Sequence, residues 1–337
     1  MNRYQTDIAI IGAGPVGLFA VFELGMVGLK CHVLDALEAV GGQCVALYPE
    51  KPIYDIPGFP RVDAQELIDR LAEQAAPFGP VYHLGAAVTG LTEQPGGGFI
   101  VENAAGVQID CGAVIVAAGV GAFGPNRPPL EGLERYEGAS IFYLVEKREA
   151  FRGKKIVIGG GGDSAVDWAI SLSELAESVS VVHRRDKFRA APESERRLRE
   201  LAASGAIDLV VPYQLHGLQG TGDQLTGVVV RTLKGEERVL PADVLLPFFG
   251  LSMDLGPIAE WGMALEQKHV AIDMETCETS RPGIYAIGDI ATYPGKLKLI
   301  LSGFSEAAMA AHAAFKRLRP DDVLRFEYST TKGVPGG

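Results

Sequence analysis

The chain has 337 residues, of which 47% are hydrophobic and 22% are charged, and its formal net charge is −11. That length predicts more than one domain, and the composition is typical of a soluble globular protein. The acidic balance argues against nucleic acid or an anionic membrane surface as a partner, and no apolar run approaches the roughly 18 residues of a membrane helix.

The first predicted unit consists of a strand, a glycine-rich turn, a helix and a second strand. The strands cover residues 7–11 and 30–34, and the helix between them extends to about residue 28. The turn carries Gly12, Gly14 and Gly17 in a GxGxxG pattern, and Asp35 follows the second strand. Such glycines make the tight turn, admit a pyrophosphate to the helix N-terminus and let helix and strand pack, while the acid accepts from ribose hydroxyls. Because Asp35 would repel a 2′-phosphate, the unit predicts a site for FAD or NAD and not for NADP.

Two features come after the first unit. A small antiparallel excursion is predicted at residues 98–102 and 107–110, where apolar and polar residues alternate. An apolar strand is predicted at 114–118, and the run 121–129, rich in Gly and Pro, is predicted to be a hinge between domains.

The order strand, glycine turn, helix and strand recurs from residue 155. A strand at 155–158 leads into Gly160 and Gly162, and Asp163 and Ser164 open a helix that is predicted to reach about residue 177. A further strand is predicted at 178–183. The recurrence predicts a second nucleotide site.

The second unit differs from the first in the charge of the residues after its second strand. Arg184 and Arg185 stand where the first unit has an acid, and Arg189 comes shortly after them. Guanidinium groups at this position are suited to pair with the 2′-phosphate of NADP. The alternative is a solvated basic run with no ligand. The distance from Gly160 matches the ribose position of the first unit and favours NADPH.

The remaining elements complete the predicted architecture. A hairpin is predicted at 225–232 and 238–240, strands at 244–247 and 284–287, a helix at 303–318 and an irregular tail at 328–337. Together these elements predict an α/β fold with two Rossmann-like, three-layer dinucleotide-binding domains, one inserted in the other, each with a small antiparallel excursion. Two nucleotide sites of opposite charge preference suggest a flavin in one and a nicotinamide in the other. An FAD-binding domain is therefore predicted at residues 1–118 and 252–337, and an NADP-binding domain at residues 119–251.

These motifs, in this order, resemble the two-dinucleotide-fold flavoprotein reductases over nearly the whole chain. The resemblance is carried by Asp35 and by residues 12–17, 41–43, 114–119, 160–165 with the later sequence HRRDKFRA, and 284–289. Within that superfamily the segments 44–60, 296–300 and 302–304 look like those of the thioredoxin-reductase-like ferredoxin–NADP+ reductases.

The cysteines argue against disulfide and metal chemistry. Cys31, Cys44, Cys111 and Cys277 have no CxxC spacing and no clustered histidines beside them, so no metal site is predicted. Cys44 stands where one branch of the superfamily begins a redox-active C-x4-C pair, but the partner position is Pro49. A lone cysteine of this kind is predicted to be a small buried residue.

The family resemblance, and no local pattern, implies most of the flavin contacts. It places Asp289 on the ribityl chain, with Gln43 and Tyr48 toward the flavin half. It also implies contacts from Val88 near the adenine, Phe123 in the hinge region, and Tyr328 and Thr330 of the tail at the isoalloxazine ring. Tyr48 and Tyr328 are expected to stack on the ring. Many relatives have His at the position of Tyr328. No residue is expected to act as a catalytic acid or base.

The function that the resemblance implies is electron transfer between NADPH and ferredoxin through FAD, with a hydride passing to FAD and single electrons to the carrier. It also implies a homodimer whose tail covers a flavin. The N-terminus has no signal-peptide pattern, so a cytoplasmic location is expected. Two alternatives remain at this point: an NADPH-dependent reductase of a quinone, iron chelate or disulfide carrier, and a flavin- and NADPH-binding redox sensor.

Overall fold

The computed structural model describes residues 2–145, 147–323 and 333–334, and for residues 122–125 and 251–253 it describes the backbone alone. The chain divides into two compact units, Met1–Phe123 with Met253–Gly337 and Gly124–Ser252. Across the described ranges, no helix is both long and apolar enough to cross a membrane.

The helices and strands are numbered in chain order. The helices are α1 (Pro15–Met26), α2 (Gln43–Leu47), α3 (Ala64–Ala75), α4 (Asp163–Leu172), α5 (Pro192–Ala203) and α6 (Ile300–Leu318). The strands up to residue 125 are β1 (Asn2–Ile11), β2 (Cys31–Leu34), β3 (Pro52–Ile53), β4 (Val62–Asp63), β5 (Val81–His83), β6 (Val88–Glu93), β7 (Phe99–Asn103), β8 (Val107–Val116) and β9 (Ala122–Pro125). The later strands are β10 (Lys155–Gly159), β11 (Ser178–Val182), β12 (Asp208–Val210), β13 (Gln214–Thr221), β14 (Gln224–Arg231), β15 (Glu237–Pro241), β16 (Val244–Pro247), β17 (Leu251–Asp254), β18 (Leu265–Glu266), β19 (His269–Ala271), β20 (Ile284–Ala286) and β21 (Ala291–Thr292).

The main sheet of the first unit has the strand order β5-β2-β1-β8-β7-β6, and β20 also pairs with β8. The pairs β5–β2, β2–β1, β1–β8 and β8–β20 are parallel. The pairs β6–β7 and β7–β8 are antiparallel. Strand β8 joins the two parts, because its first half pairs with β7 and its second half with β20. The antiparallel excursion is therefore an extension of the parallel sheet.

Each face of this sheet is covered by a different core. Ile8 and Ile10 of β1 pack with apolar residues of α1 and α6. Ala9 and Ile11 pack on the opposite face, where Ile258 of the 3-10 segment Gly256–Glu260 also lies. Successive strand residues point to opposite faces, so a strand buried on both sides has an unbroken apolar sequence. This explains why residues 8–11 are all apolar.

The second unit repeats the core of the first. Its parallel sheet has the order β12-β11-β10-β16. Ile156 and Ile158 of β10 pack against Val166 of α4 and Leu198 of α5. Val157 faces the other way, into a core with residues of the antiparallel sheet β13-β14-β15. The unit thus has three layers, with helices, a parallel sheet and an antiparallel sheet.

The structure differs from the sequence prediction at several places. Residues 107–116 form one strand, β8, where the sequence predicted separate strands at 107–110 and 114–118. Gly112 lies within β8 and leaves room for Leu318 of α6, whose Cδ2 would lie 2.5 Å from a Cβ added to Gly112. Helix α4 ends at Leu172 and not near residue 177, and the Ser173 hydroxyl donates to the Ile170 carbonyl at 2.8 Å. Helices α3 and α5 have no counterpart in the prediction, and strand β9 lies inside the run predicted to be a hinge.

Candidate functional site

A cleft with a volume of about 370 Å³ opens in the first unit, at the carboxyl ends of its parallel strands. Residues shortly after β1, β2, β8 and β20 contribute to its wall, which is the usual position of a ligand site in a parallel α/β sheet. The lining includes these residues predicted from the sequence: Gly12, Gly14, Asp35, Gln43, Tyr48, Val88 and Asp289.

The three glycines of the first turn have three different surroundings. A Cβ on Gly12, whose φ is +109°, would lie 2.3 Å from the Ala117 carbonyl oxygen. A Cβ on Gly17 would lie 2.0 Å from the Gly12 carbonyl oxygen, so Gly17 supports the turn from behind and does not line the cleft. Gly14 has no atom within 4 Å of an added Cβ. The cleft is therefore open beside Gly14, directly before the first residue of α1, and this open space suits a pyrophosphate.

The Asp35 carboxylate accepts hydrogen bonds from backbone N–H groups, one of which lies in the glycine turn. One carboxylate oxygen accepts from the Ala13 N–H at 2.6 Å and the other from the Leu37 N–H at 2.8 Å. Burial raises the pKa of Asp35, and the hydrogen bonds from Ala13, Leu37 and Ala36 oppose this shift. The structure thus holds an acceptor in a fixed position at the rim of the cleft, as recognition of ribose hydroxyls requires.

Another part of the cleft wall is formed by residues of α2, by Tyr48 directly after it and by Asp289 after β20. The Cys44 thiol lies 3.8 Å from the Tyr48 hydroxyl. Burial raises the pKa of Cys44 to about 11, and burial also raises the pKa of Tyr48. Both groups are therefore neutral near pH 7, and the cleft contains no thiolate. The Gln43 amide lies close to the backbone of Gly119, with its Nε2 3.3 Å from the position of an added Cβ there.

A third part of the wall has no counterpart in the sequence prediction. Residues 254–258, at the end of β17 and beyond it, line the cleft beside Val16 and Ile300. Gly256 and Pro257 form a turn pair there that gives a weak local signal. Their contribution to the cleft depends on where the chain returns to the first unit, which no local pattern reveals.

The glycine turn of the second unit is connected to the arginine segment through the backbone. The Arg189 N–H donates to the Gly161 carbonyl at 2.7 Å, and the Asp163 carboxylate accepts from the Ala191 N–H at 2.9 Å. Gly162 precedes α4, whose first residues, Asp163 and Ser164, are exposed. A Cβ on Gly162 would meet no atom within 4 Å, so an anion can approach this helix N-terminus.

The arginine side chains of this segment are exposed and carry no ion pair with a described acidic residue. Arg184, Arg185 and Arg189 all extend into solvent next to His183. Burial lowers the pKa of His183, and the positive charges of the three arginines lower it further. The segment is therefore a region of positive potential beside the second glycine turn.

Three of the predicted flavin contacts cannot be placed. Tyr328 and Thr330 lie outside the described residues, and so does the side chain of Phe123. These three assignments stay predictions.

Comparison with known proteins identifies the class. The chain belongs to the pyridine nucleotide-disulphide oxidoreductase family, whose profile matches residues 6–316. The structure of Lactococcus lactis thioredoxin reductase in its FR conformation is similar, with a TM-score of 0.80 and 26% identity over 94% of this chain and 99% of that one. The predicted α/β fold with two Rossmann-like domains is thereby confirmed.

Two relatives define the branch of that family. The ferredoxin–NADP reductase of Paramagnetospirillum magneticum is 64% identical over 100% of both chains. The enzyme of the same name from Rhodospirillum rubrum is 63% identical over 98% of this chain and 97% of its own. The chain is therefore a member of the ferredoxin–NADP reductase family, which confirms the resemblance seen in the sequence. FAD and NADPH are the cofactors of this family.

Proposed function

We propose that this chain transfers electrons between NADPH and ferredoxin, with FAD in the cleft of the first unit and the nicotinamide nucleotide at the glycine turn of the second. The observation that carries the proposal is the contrast between the two turns. A fixed, partly buried acid follows the second strand of one unit, and three exposed arginines, which have no ion pair with a described acidic residue, follow the second strand of the other. The relatives named ferredoxin–NADP reductase, which align over 98–100% of this chain, support ferredoxin as the partner.

The residues of the first cleft fit FAD. The open space beside Gly14 would take the pyrophosphate at the start of α1, and Asp35 would accept from the adenosine ribose. Val88 would lie against the adenine, and Asp289 would hold the ribityl chain at the other end. When bound, FAD supplies the chemistry that joins a two-electron donor to a one-electron acceptor.

The flavin half of the cleft would be formed by Gln43 and Tyr48. The Tyr48 phenol is neutral near pH 7 and burial raises its pKa further, so its ring can stack without bringing a charge beside the cofactor. Helix α6 begins at Ile300, which lines the cleft, and its N-terminus favours negative charge there. We further propose that Phe123, Thr330 and a stacking Tyr328 complete this half.

The residues of the second turn fit NADP. Gly160 and Gly162 would shape the turn, and the N-terminus of α4 at Asp163 and Ser164 would receive the pyrophosphate. The guanidinium groups of Arg184, Arg185 and Arg189 would pair with the 2′-phosphate. Because these groups have no acidic partner among the described residues, binding would not require an existing ion pair to break.

The cysteines separate this proposal from disulfide reduction, the reaction suggested by the name of the thioredoxin reductase neighbour. All four cysteines are buried and unpaired. Only Cys44 lines the first cleft, and burial raises its pKa. A buried neutral thiol without a neighbouring thiol has no means of dithiol exchange.

Two further properties of the proposal come from the family resemblance. We propose that the protein is a homodimer in which the tail of one subunit covers a flavin, and that it works in the cytoplasm. Size-exclusion chromatography with light scattering would report a dimer of about twice the 35.8 kDa chain mass. A monomeric protein with full activity would contradict the dimer proposal.

The function is tested by cytochrome c reduction with NADPH, with and without added ferredoxin. Turnover that requires ferredoxin and saturates with it is the expected result. Equal turnover with a quinone or an iron chelate alone would favour the other reductases, and FAD reduction without turnover on any acceptor would indicate a sensor. The Cys44→Ser variant should retain the ferredoxin-dependent rate, and its loss with FAD still bound would indicate thiol chemistry.

A further inference from the structure

Glu306 of α6 is a carboxylate enclosed by three donors. Its side chain is 3% exposed. One oxygen accepts from the Gly288 N–H at 2.7 Å, and the other accepts from the Tyr293 hydroxyl at 2.8 Å and pairs with the ammonium of Lys296, which is 5% exposed. Among the described residues Glu306 is the one carboxylic acid in the buried class. Burial of an ion pair is costly unless each remaining polar atom has a partner, and here both oxygens are satisfied.

The contact with Gly288 connects Glu306 to the FAD cleft. Gly288 has a φ of +75° and forms the turn that places Asp289 in the cleft wall. Helix α6 itself begins at Ile300, which lines the same cleft. Glu306 therefore joins two parts of the wall, the turn after β20 and the first turns of α6. The burial that encloses Tyr293, together with its hydrogen bond to Glu306, raises the pKa of the phenol to about 12, so Tyr293 remains a donor.

We propose that Glu306 is a positioning residue of the FAD site, that it holds the Gly288–Asp289 turn in register with α6, and that Lys296 balances its charge beside the cofactor. This inference rests on the FAD assignment in the proposed function. Glu306 does not line the cleft, so it acts through the backbone of Gly288 and has no contact with the cofactor of its own.

A second glutamate offers a matched control. Glu278 accepts from the Gly283 N–H at 2.7 Å and pairs with Arg317 of α6 at 3.6 Å. Gly283 directly precedes β20, whereas Gly288 lies beyond its carboxyl end. Both glutamates thus join α6 to a glycine turn at an end of the same strand, but only the Glu306 contact is at the cleft end.

The first experiment compares Glu306→Gln with Glu278→Gln in FAD titrations of the apo chain, monitored by flavin fluorescence. In Glu306→Gln the amide oxygen is needed by Lys296, so the amide NH2 faces the Gly288 N–H and that hydrogen bond is lost. Loss of a charge-assisted contact predicts an FAD dissociation constant about ten-fold or more higher. Glu278→Gln should bind FAD as the parent does. Parent-like FAD binding by Glu306→Gln, or equal weakening in both variants, overturns the proposal.

The second experiment uses Lys296→Met, which leaves the Glu306 hydrogen bonds to Gly288 and Tyr293 in place and removes one positive charge. Measured at high pH, so that the buried carboxylate does not take up a proton in place of the lost ammonium, the midpoint potential of bound FAD should be lower than in the parent, because reduction adds negative charge to the cofactor. Glu278→Gln should leave the potential unchanged. This variant decides the question even if Glu306→Gln fails to fold, since an unchanged potential in Lys296→Met overturns the charge-balance role. A parent chain that binds no FAD would instead refute the proposed function.

Discussion

The two glycine turns have the same backbone design and opposite electrostatics. In each unit the first glycine donates to the carbonyl of the last residue of the second strand, from Gly12 to Leu34 at 2.8 Å and from Gly160 to Val182 at 3.1 Å. In each unit a Cβ on that glycine would collide with the chain just beyond a neighbouring strand. The charged groups differ in how they are held, because the Asp35 carboxylate accepts from a backbone N–H of the turn whereas the arginines are exposed and have no ion-pair partner in the described part of the chain.

This difference means that recognition of a ribose by an acid and recognition of a phosphate by arginines affect the stability of the folded chain differently. Burial raises the pKa of Asp35, because desolvation destabilises its charged form. Hydrogen bonds from backbone N–H groups offset part of this desolvation. The exposed arginines remain hydrated and require no such compensation. We infer that a neutral ribose needs an acceptor fixed in advance, whereas a dianionic phosphate can order exposed arginine side chains as it binds.

The largest expected effect comes from removing the charges of the second turn. Arg184→Ala with Arg185→Ala should weaken NADPH binding by about 2–4 kcal/mol, through loss of charge-assisted hydrogen bonds, and leave use of NADH nearly unchanged. Steady-state kinetics with both nucleotides provide the measurement. Arg231→Ala, which removes an exposed arginine of β14 that pairs with Glu237, serves as the control. Equal losses for NADPH and NADH would mean that the basic segment is structural.

A somewhat smaller effect is expected at the first turn. Asp35→Asn should weaken FAD binding by about 1.5–3 kcal/mol, because the ribose loses an ionised acceptor. Titration of the apo chain with FAD measures it. Asp243→Asn is the matched control, since Asp243 also accepts from a backbone N–H, that of Lys155 at 2.8 Å, but lies in the second unit. Undiminished FAD affinity in Asp35→Asn would remove Asp35 from the site.

The pH dependence of stability should reveal the partly buried acid of the first turn. A carboxyl whose pKa is raised by folding contributes stability below its ordinary pKa, here 3.8, and that contribution is lost as the pH rises through the raised pKa. The Tm of the apo Asp35→Asn chain should therefore gain on that of the parent as the pH increases from about 4 to 7. Calorimetry of both apo chains over this range tests the sign. A Tm difference between the two chains that stays constant, or changes in the opposite direction, would show that burial does not dominate the pKa of Asp35.

The smallest effect should appear at His183. The pKa of His183 is lowered first by burial and then by the arginines, so the double arginine variant should raise it toward, but not to, the ordinary value of 6.5. NMR titration of the imidazole measures the shift. Folding that lowers this pKa also means that stability is lost as the pH falls through the ordinary value. An unchanged His183 pKa in the variant would show that the arginines act from too far away to create a positive site.

Much of the fold and of both turns could be predicted because their signals are local. The stretches 7–11 and 155–158 are apolar strands that enter glycine turns, and the charged residues stand close behind each second strand. Strand β16 coincides with its prediction at 244–247. Strand β8 was predicted as two strands, 107–110 and 114–118, but it is continuous through Gly112, and the reason for a glycine there, the approach of Leu318, lies at the far end of the chain.

The sequence by itself determined the two dinucleotide units, the opposite charges after their second strands and the absence of a cysteine pair, because each of these depends on residues that are close along the chain. Only the tertiary structure decided that residues 254–258 close the cleft, that Gly17 lies behind it, and that Glu306 binds the turn before Asp289. These contacts join segments that are brought together by the strand order of the sheet. Their geometry is decided by packing and hydrogen bonding among distant residues, and no periodicity or spacing in the sequence encodes it.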